Sequence, residues 1–236
     1  MSDDLIPWEP TGPYRIAFST RCGGVSQGPY ESLNLGRRTG DDVERVDENR
    51  RIVCSALGAD AGDLALNFQM HSTIVNRAEA GVRGNAEGDA LWTDEAGVPI
   101  AALAADCVPV ALARREGAAA VAVAHAGWVG LLAGVLENAV ETLGGPVEAA
   151  IGPSAGPCCY EVGEEVARPY RERFGDGVMI GRNLDLWSAA EAALQSAGVK
   201  SIHRVDLCTI CNPERFFSHR RDGKPRGVQG VVAVVA

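Results

Sequence analysis

The clearest hydrophobic pattern lies in the middle of the chain, where two apolar runs flank a short charged segment that ends in glycine. The runs cover residues 108–113 and 118–124. Two such runs joined by a short glycine-containing turn predict a β-hairpin. Antiparallel strands bring their outer ends together, so Cys107 and His125 are expected to lie side by side at one end of the sheet.

Further apolar runs and helical stripes predict regular elements on both sides of this hairpin. The predicted strands are 14–18, 65–75 with His71 inside it, 88–94, 147–151 and 228–235, and the predicted helices are 41–58, 131–143, 161–174 with Pro169 shortening or kinking it, and 185–197. Residues 1–13 are expected to be a loose lead-in to one domain formed by residues 14–236. Because strands and helices alternate irregularly and hairpins are evident, the sequence predicts a single α+β or mixed α/β domain.

Composition and charge narrow the classes of partner. The chain has 236 residues, of which 46% are hydrophobic, and a formal net charge of −9. An acidic protein is a poor ligand for nucleic acid or an anionic membrane, although an anionic small substrate could bind a local arginine pocket. The uncharged stretch 118–136 is interrupted by glycines, so a strand, a turn and a helix start explain it better than a membrane span.

The cysteines and the N-terminus bear on the compartment. The count of seven cysteines is odd, they are scattered, and the first ten residues are acidic with no apolar signal region. This pattern indicates a reduced, cytoplasmic protein rather than a secreted disulfide framework.

Two interpretations of Cys107 and His125 involve chemistry. A thiolate and an imidazole can be two ligands of a transition metal or the two halves of a Cys/His nucleophile pair. The alternative is structural, because a buried cysteine often behaves as a small hydrophobic residue. Asp106, Gly127 and Gly130 interrupt the Ala/Val texture at this point, which favours a site over plain core.

A C-x-x-C pair, Cys208 and Cys211, stands in the C-terminal third. No second such pair occurs at the spacing of a zinc ribbon, and Asn212-Pro213 follows where a redox motif would begin a helix. The sequence therefore argues against a structural zinc site and against a redox site here.

Several motifs of this chain together resemble the YfiH/YlmD family, which is historically described as multicopper polyphenol oxidases or laccase domains and more recently as purine nucleoside phosphorylases. The matching segments run in order through nearly the whole chain: FSTRCGGVS, SLNLG, DDVERVDENR, QMHS, GDALWT, ADCVP, HAGWVG, IGPSAGPCCYEVG, DLW, CT and FFSHRRDG. The most specific feature is ADC followed by HAGW about eighteen residues later. The resemblance implies an α+β fold, a mixed α/β sandwich of the YfiH type with a mixed or antiparallel sheet and flanking helices.

The resemblance also implies a metal site and an activity. His71, Cys107 and His125 together would bind Zn²⁺, or Cu²⁺, and leave one coordination position open, as catalytic rather than structural sites do. The family is described as cleaving adenosine, inosine and methylthioadenosine with phosphate and as deaminating adenosine. Substrates are thus a small nucleoside and phosphate, with no protein partner evident. The matching motifs make Arg21, Asn34 and Arg220 candidates for substrate binding.

One position departs from the family pattern, and three other functions stay open. The family motif HAGWRG has Val129 in place of its arginine here, which puts phosphate use in doubt. A full multicopper centre needs about ten histidines, and this chain has four, so only weak copper-dependent oxidation could remain. A Cys/His amidase acting on peptidoglycan precursors and a non-catalytic binding module are the further alternatives.

Overall fold

The computed structural model describes residues 4–81 and 84–236, and it contains two six-stranded sheets. The strands of these residues are β1 (Leu5–Trp8), β2 (Tyr14–Ser19), β3 (Ala65–Phe68), β4 (Val75–Arg77), β5 (Gly84–Glu87), β6 (Ala90–Thr93), β7 (Ile100–Ala104), β8 (Val108–Arg114), β9 (Val121–Ala126), β10 (Val147–Ile151), β11 (Met179–Ile180), β12 (Asn183–Leu184), β13 (Ser201–Arg204) and β14 (Gln229–Val235). The α-helices are α1 (Val43–Ala56), α2 (Trp128–Ala133), α3 (Val135–Leu143), α4 (Glu164–Phe174), α5 (Leu186–Ser196) and α6 (His219–Asp222).

Both large sheets mix parallel and antiparallel pairs. The first has the strand order β1-β2-β14-β7-β3-β5, and the second has the order β13-β10-β8-β9-β6-β4. Most neighbours are antiparallel, whereas β3 is parallel to β5 and β7, β4 is parallel to β6, and β10 is parallel to β13. A third, two-stranded ribbon pairs β11 with β12.

The two large sheets face each other and bury a core between them. Phe18, Ile100 and Val231 of the first sheet belong to the same buried cluster as Ala111 and Val121 of the second. Successive side chains of a strand point to opposite faces of a sheet, so each sheet also has an outer face to cover.

Helices cover both outer faces. Helix α1 packs Val53 and Leu57 against the first sheet, and α3 and α5 pack Leu136 and Ala190 against the second, beside Leu112. The layers are therefore helix, sheet, sheet and helix, which confirms the mixed α+β sandwich. It also explains why the β8 and β9 runs are apolar throughout, since strands covered on both faces bury every side chain.

The N-terminal segment differs from the expectation. Residues 1–3 lie outside the described chain, but β1 pairs antiparallel with β2 from Leu5 opposite Ser19 to Trp8 opposite Ile16. The prediction of a loose lead-in is therefore wrong for this stretch, because β1 completes the edge of the first sheet. A four-residue strand before a proline- and glycine-containing turn has too little periodicity to stand out in the sequence.

The predicted strand 65–75 is also wrong, in a way that matters for the site. The chain forms β3 in the first sheet, leaves regular structure, and re-enters as β4 in the second sheet. His71 lies in the crossing segment with a left-handed backbone, φ 64°. The segment is not a strand because its backbone N–H groups bind the side chain of Asp89 instead of a neighbouring strand.

The predicted helices occur with shifted ends. The helix expected over 131–143 is divided into α2 and α3 at Gly134, whose φ of 103° interrupts the regular backbone. Helix α4 begins at Glu164, three residues later than expected, and contains Pro169. No α-helix of the described residues is long and apolar enough to cross a bilayer, and the uncharged stretch 118–136 is shared by β9, α2 and the start of α3.

Candidate metal centre

Three side chains from distant parts of the chain converge beside the central hairpin. The ligand atoms of His71, Cys107 and His125 all lie within 4.8 Å of one another. His71 Nε2 is 3.9 Å from Cys107 Sγ, and the two imidazole rings meet edge to face with their centroids 5.0 Å apart. The structure thus brings together all three residues of the predicted metal set.

The hairpin brings Cys107 and His125 to the same end of the sheet, as the sequence predicted, but the second strand extends past His125. Strand β9 extends to Ala126, so His125 lies inside the strand opposite Pro109, and Val108 is paired with Ala126. Cys107 immediately precedes β8. The predicted hairpin is confirmed, although its second strand starts and ends later than expected.

A buried carboxylate, Asp89, holds both histidines. Its two oxygens accept hydrogen bonds from the backbone N–H groups of Met70, His71 and Ser72 at 3.1, 3.0 and 2.6 Å, and from the Ser72 hydroxyl at 2.8 Å. These bonds hold the left-handed backbone at His71, a conformation that a non-glycine residue rarely adopts without such support. His71 itself stays exposed at the surface of the site.

The same carboxylate fixes the orientation of the second imidazole. His125 Nδ1 lies 2.8 Å from Asp89 Oδ1, so Nδ1 donates to the carboxylate and Nε2 is the nitrogen left with a free lone pair. A carboxylate behind a histidine is the usual outer partner of a metal-binding imidazole. His125 is buried, with 5% of its surface exposed.

A second buried carboxylate, Asp106, holds the segment that carries Cys107. Asp106 also has a positive φ, 89°. Its side chain accepts hydrogen bonds from the hydroxyls of Thr209 and Ser218 and from the backbone N–H of Arg220, at 2.6, 3.0 and 2.6 Å. Because every one of these partners lies in the C-terminal part of the chain, Asp106 ties that part to the thiol.

Gly127 leaves the space that the three ligands occupy. A Cβ added at Gly127 would overlap Cδ2 of His71 and lie 3.3 Å from Cys107 Sγ. Backbone conformation does not require glycine here, since the φ of −68° is ordinary. The glycine of the HAGW motif is therefore needed for close approach to the ligands.

Charge in this pocket favours an anionic sulfur. Burial alone would raise the pKa of Cys107, but the charge of His125 and hydrogen bonds from both histidines lower it to about 6. Burial alone would lower the pKa of His125, but Cys107 and Asp89 raise it to about 9. For Asp89, the hydrogen bonds from His125 and Ser72 outweigh burial and hold the pKa well below its usual value.

The arrangement fits a single transition-metal ion. Two imidazole nitrogens and one thiolate are ligands that Zn²⁺ and Cu²⁺ both accept. The spacing of the donors suits one ion. Three protein ligands would leave a fourth position for substrate, as in catalytic sites.

Of the predicted substrate residues, Arg220 lies beside the centre, where its backbone N–H binds Asp106, and the other two are held by hydrogen bonds within the protein. The Arg220 guanidinium stacks on the Tyr160 ring, 4.9 Å from its centroid, and donates to the Glu161 carbonyl. Arg21 instead donates to the carbonyls of Glu31 and Pro213, which binds its guanidinium to two loops.

Asn34 is fully buried. Its amide donates to the side chains of Thr39 and Asp41, and its carbonyl accepts from the backbone of Gly36 and Val228. Every polar atom of this side chain is bonded within the protein, and contact of Asn34 with substrate stays a prediction.

A basic cavity of about 870 Å³ lies in the same region of the molecule. Six cationic side chains and two acidic ones line it: Arg37, Arg38, Arg50, Arg51, Lys224 and Arg226, with Asp47 and Asp60. Among the described residues, the three converging ligands do not line this cavity, but Gln69, two residues before His71, does.

Arg226 connects this cavity to the ligands. Its Nε is buried and has no hydrogen-bond partner in the described part of the chain. Burial lowers the pKa of Arg226, while the negative charges of Asp106 and Cys107 act in the opposite direction. Arg226 therefore has one buried donor that the described residues leave unbonded, close to these two negative groups.

Sequence reasoning singled out Asp106 without giving it a role, and it missed Asp89 and a second group of cysteines. Asp89 and Asp106 lie in the segments GDALWT and ADCVP, but nothing in either segment shows which backbone groups a carboxylate will bind. The sequence argued against a zinc or redox site at Cys208 and Cys211 because no second C-x-x-C occurs. In the structure, Cys158 and Cys159 lie with them in one group whose sulfurs are within 4.8 Å of one another.

Comparisons with known proteins identify the relatives of this chain. Residues 15–236 match a family model described as "Multi-copper polyphenol oxidoreductase laccase". The chain is 37% identical to the purine nucleoside phosphorylase PA4543 of Pseudomonas aeruginosa, covering 92% of both chains. It is 36% identical to the purine nucleoside phosphorylase YfiH of Escherichia coli, covering 94% of this chain and 95% of the relative.

Two solved structures have the same fold as this chain. The Bacillus licheniformis hypothetical protein YfiH has a TM-score of 0.91 at 29% identity, covering 100% of this chain and 97% of that one. The Neisseria meningitidis protein NMB0706 has a TM-score of 0.88 at 34% identity, covering 98% and 99%.

Proposed function

The chain belongs to the YfiH/YlmD family, and we propose that it is a metal-dependent purine nucleoside phosphorylase. The observation that carries this proposal is the convergence of His71, Cys107 and His125 within 4.8 Å, next to a cavity lined mainly by cations. The names of the relatives support the substrate class, since those reported above are called purine nucleoside phosphorylases.

The reaction joins phosphate to C1′ of the ribose as the bond between C1′ and the purine nitrogen breaks. The bonding electrons leave with the base, which then takes up a proton. When bound, a divalent metal supplies Lewis acidity that stabilises negative charge developing on a reacting group. No electrons are exchanged with an acceptor, so redox-inactive Zn²⁺ suits this reaction, and we propose Zn²⁺ as the ion.

The chain's own residues would position the two substrates. Arg226, with its unpartnered Nε, and Arg220 are the proposed phosphate ligands, because guanidinium groups bind phosphate through paired hydrogen bonds. Met70, Ile74 and Val129 expose 46%, 46% and 39% of their surface near the ligands in sequence, and they offer an apolar rim for the purine ring. Asp89 would keep both imidazoles in place during turnover.

Deamination of adenosine is proposed as a side activity of the same centre. It needs a nucleophilic water and a Lewis acid at the purine ring, whereas phosphorolysis needs phosphate at the ribose. The two reactions therefore place different parts of the nucleoside near the ligands.

A nucleoside panel tests the proposal. The purified protein is incubated with adenosine, inosine or methylthioadenosine, with and without inorganic phosphate, and products are separated by chromatography. We expect free base and ribose 1-phosphate in equal amounts, dependent on phosphate, and inosine from adenosine as a minor product. Release of base without phosphate would indicate hydrolysis, and no release from any nucleoside would reject the proposal.

A Cys/His hydrolase is the second candidate, favoured by the ionised state that the pocket gives Cys107. Such an enzyme needs the thiolate free to attack substrate. Metal binding and nucleophilic use of the same sulfur exclude each other. Full activity in a metal-stripped protein, abolished by alkylation of Cys107, would therefore support the hydrolase and reject the metal-dependent phosphorylase.

A further inference from the structure

A second group of sulfur ligands lies outside the centre described above. Cys158 and Cys159 follow the turn after β10, and Cys208 and Cys211 lie in the turn after β13. All four sulfurs are within 4.8 Å of one another. Cys208 and Cys211 have the C-x-x-C spacing of a zinc-ligand pair, whereas the adjacent Cys158 and Cys159 do not. The group of four exists only because the fold brings the two turns together.

Backbone hydrogen bonds hold the two turns in register. Ser154 forms a parallel bridge with Cys208, in which Ser154 N–H donates to the Leu207 carbonyl and Thr209 N–H donates to the Ser154 carbonyl, at 3.2 and 2.9 Å. Asn212 Nδ2 closes the second turn by donating to the Cys208 carbonyl at 2.7 Å. The cysteine positions are therefore set by the main chain of both turns.

We propose that Cys158, Cys159, Cys208 and Cys211 form a second metal site that binds one Zn²⁺ through four thiolates. Cys211 Sγ lies 3.2 Å from Cys158 Sγ and 3.0 Å from Cys159 Sγ. In a tetrahedral site with Zn–S bonds of about 2.3 Å, neighbouring sulfurs are about 3.8 Å apart. The two Cys211 separations are shorter than that value, and no pair of the four sulfurs is more than 4.8 Å apart, so side-chain rotations that move the sulfurs apart give the tetrahedron. Each thiol that becomes a ligand releases its proton to solvent.

The surroundings provide the features that such a site needs. The Gly156 backbone N–H donates to Cys208 Sγ at 3.3 Å, which stabilises sulfur carrying negative charge. The Arg221 guanidinium donates to the carbonyls of Thr209 and Ile210 within the second turn. Arg221 also pairs with Asp222, so it ties the second turn to α6.

The other occupants of four cysteines fit less well. A disulfide uses only two sulfurs, yet Cys211 is equally close to Cys158 and Cys159. An iron–sulfur cluster inserts several iron and sulfide atoms between the cysteines, and a group no wider than 4.8 Å has room for a single ion. A closed four-thiolate set is typical of structural zinc, which contributes to folding free energy.

The site would stabilise one wall of the first metal centre. Tyr160 follows Cys159 directly and stacks with Arg220, while Thr209, between Cys208 and Cys211, binds the Asp106 side chain. Ala155 N–H donates to the Asp106 carbonyl at 2.9 Å. A metal joining the two turns would therefore fix the segments that hold Asp106 and, through it, Cys107.

Metal stoichiometry tests this inference, and it does so without any nucleoside. Full-length protein is purified under reducing conditions, equilibrated with a small excess of Zn²⁺, desalted and analysed for zinc, iron and protein. We expect two zinc ions per chain in the unmodified protein, one in Cys159→Ser/Cys211→Ser, one in His71→Ala and none in the combined variant. Cys22→Ser, which removes a half-buried thiol outside both groups, should keep two.

Three results would overturn the proposal. One is a single zinc ion per chain that is lost in His71→Ala but kept in Cys159→Ser/Cys211→Ser. Another is iron in place of zinc. The third is a non-reducing mass lower by two hydrogens, with two of the four cysteines protected from alkylation and no metal at the group.

A spectroscopic measurement covers the case in which the double variant does not fold. The unmodified protein is stripped of metal, and Co²⁺ is added in steps. Occupation of a four-thiolate site gives sulfur-to-cobalt charge-transfer absorption several times stronger than a site with one thiolate. We expect two titration phases of unequal absorption, and a single weak phase corresponding to one thiolate would reject the second site.

Discussion

The two groups of sulfur ligands in this protein differ in what surrounds them and in how many ligands the chain supplies. The first group has one thiolate and two imidazoles at the junction of both sheets, with Asp89 behind the histidines. The second has four thiols on two surface turns. Three protein ligands leave a coordination position for substrate, whereas four close the ion off. We therefore expect the first group to govern turnover and the second to govern stability.

The backbone around the two groups also differs. His71 and Asp106 both adopt backbone conformations that cost energy, and a buried carboxylate holds each of them. Strain of this kind persists where the surrounding structure overrides it, and it often marks functional positions. In the four-cysteine turns the positive φ falls on Asp206, at 49°, and none of the four cysteines has one, so the cysteine positions themselves carry no strain of this kind.

The largest expected effect contrasts one variant of each group. His71→Ala removes a ligand from the open centre, and loss of Lewis acidity worth several kcal/mol lowers kcat/KM by about three orders of magnitude or more. Its melting temperature should change little. Cys159→Ser/Cys211→Ser should lower the melting temperature and leave kcat/KM of the folded fraction within about threefold. Steady-state phosphorolysis and calorimetry measure both quantities, and the opposite pattern would refute the division of roles.

Gly127→Ala is expected to have the next largest effect. The added methyl group overlaps His71 and crowds Cys107, so it displaces a ligand from the open centre. Zinc affinity there should fall by more than the 10–100-fold typical of changes outside the ligand set. Gly177→Ala is the matched control, because an added Cβ there meets no atom within 4 Å and its backbone is not left-handed. Competition with a zinc-binding dye gives both affinities, and equal values would show that Gly127 has no steric role.

Asp89→Asn should weaken the open centre by a smaller amount. The amide keeps the shape of the side chain but puts N–H donors where the carboxylate accepts from His125 and three backbone N–H groups. We expect a 10–100-fold loss of zinc affinity at this centre, with zinc at the four-cysteine group unchanged. Asp94→Asn, which removes an exposed ion pair with Arg77, should leave both affinities unchanged. An equal loss at both centres would indicate a general folding defect instead.

The hairpin and its ligands were predictable because the periodicity of the sequence and the geometry of antiparallel strands are local. The pairing of Val108 with Ala126 follows from two apolar runs and a turn. His71 could be assigned only through the family resemblance, since its position depends on a chain that crosses between sheets. The crossing in turn depends on Asp89, eighteen residues later, and no periodic pattern reports such a contact.

The four-cysteine group escaped sequence reasoning for a similar reason. A zinc-ribbon motif consists of two cysteine pairs, each with a short spacing, and the adjacent residues Cys158 and Cys159 do not form such a pair. The parallel bridge between Ser154 and Cys208 joins residues more than fifty positions apart. Contacts of this kind are set by the packing of β10 beside β13, which the sequence does not specify at the level of individual residues.

The smallest expected effect concerns Val129, which stands where the family motif has arginine. Val129 is 39% exposed in the first turn of α2, four residues after His125. An arginine there would add a solvent-screened charge worth about 0.2–1 kcal/mol toward phosphate, so Val129→Arg should lower the KM for phosphate by about 1.4- to fivefold and leave zinc content unchanged. Ile180→Arg adds the same charge on the exposed β11–β12 ribbon and should leave the KM unaltered. If both variants lowered the KM equally, long-range attraction by net charge would explain the change, and position 129 would have no part in binding phosphate.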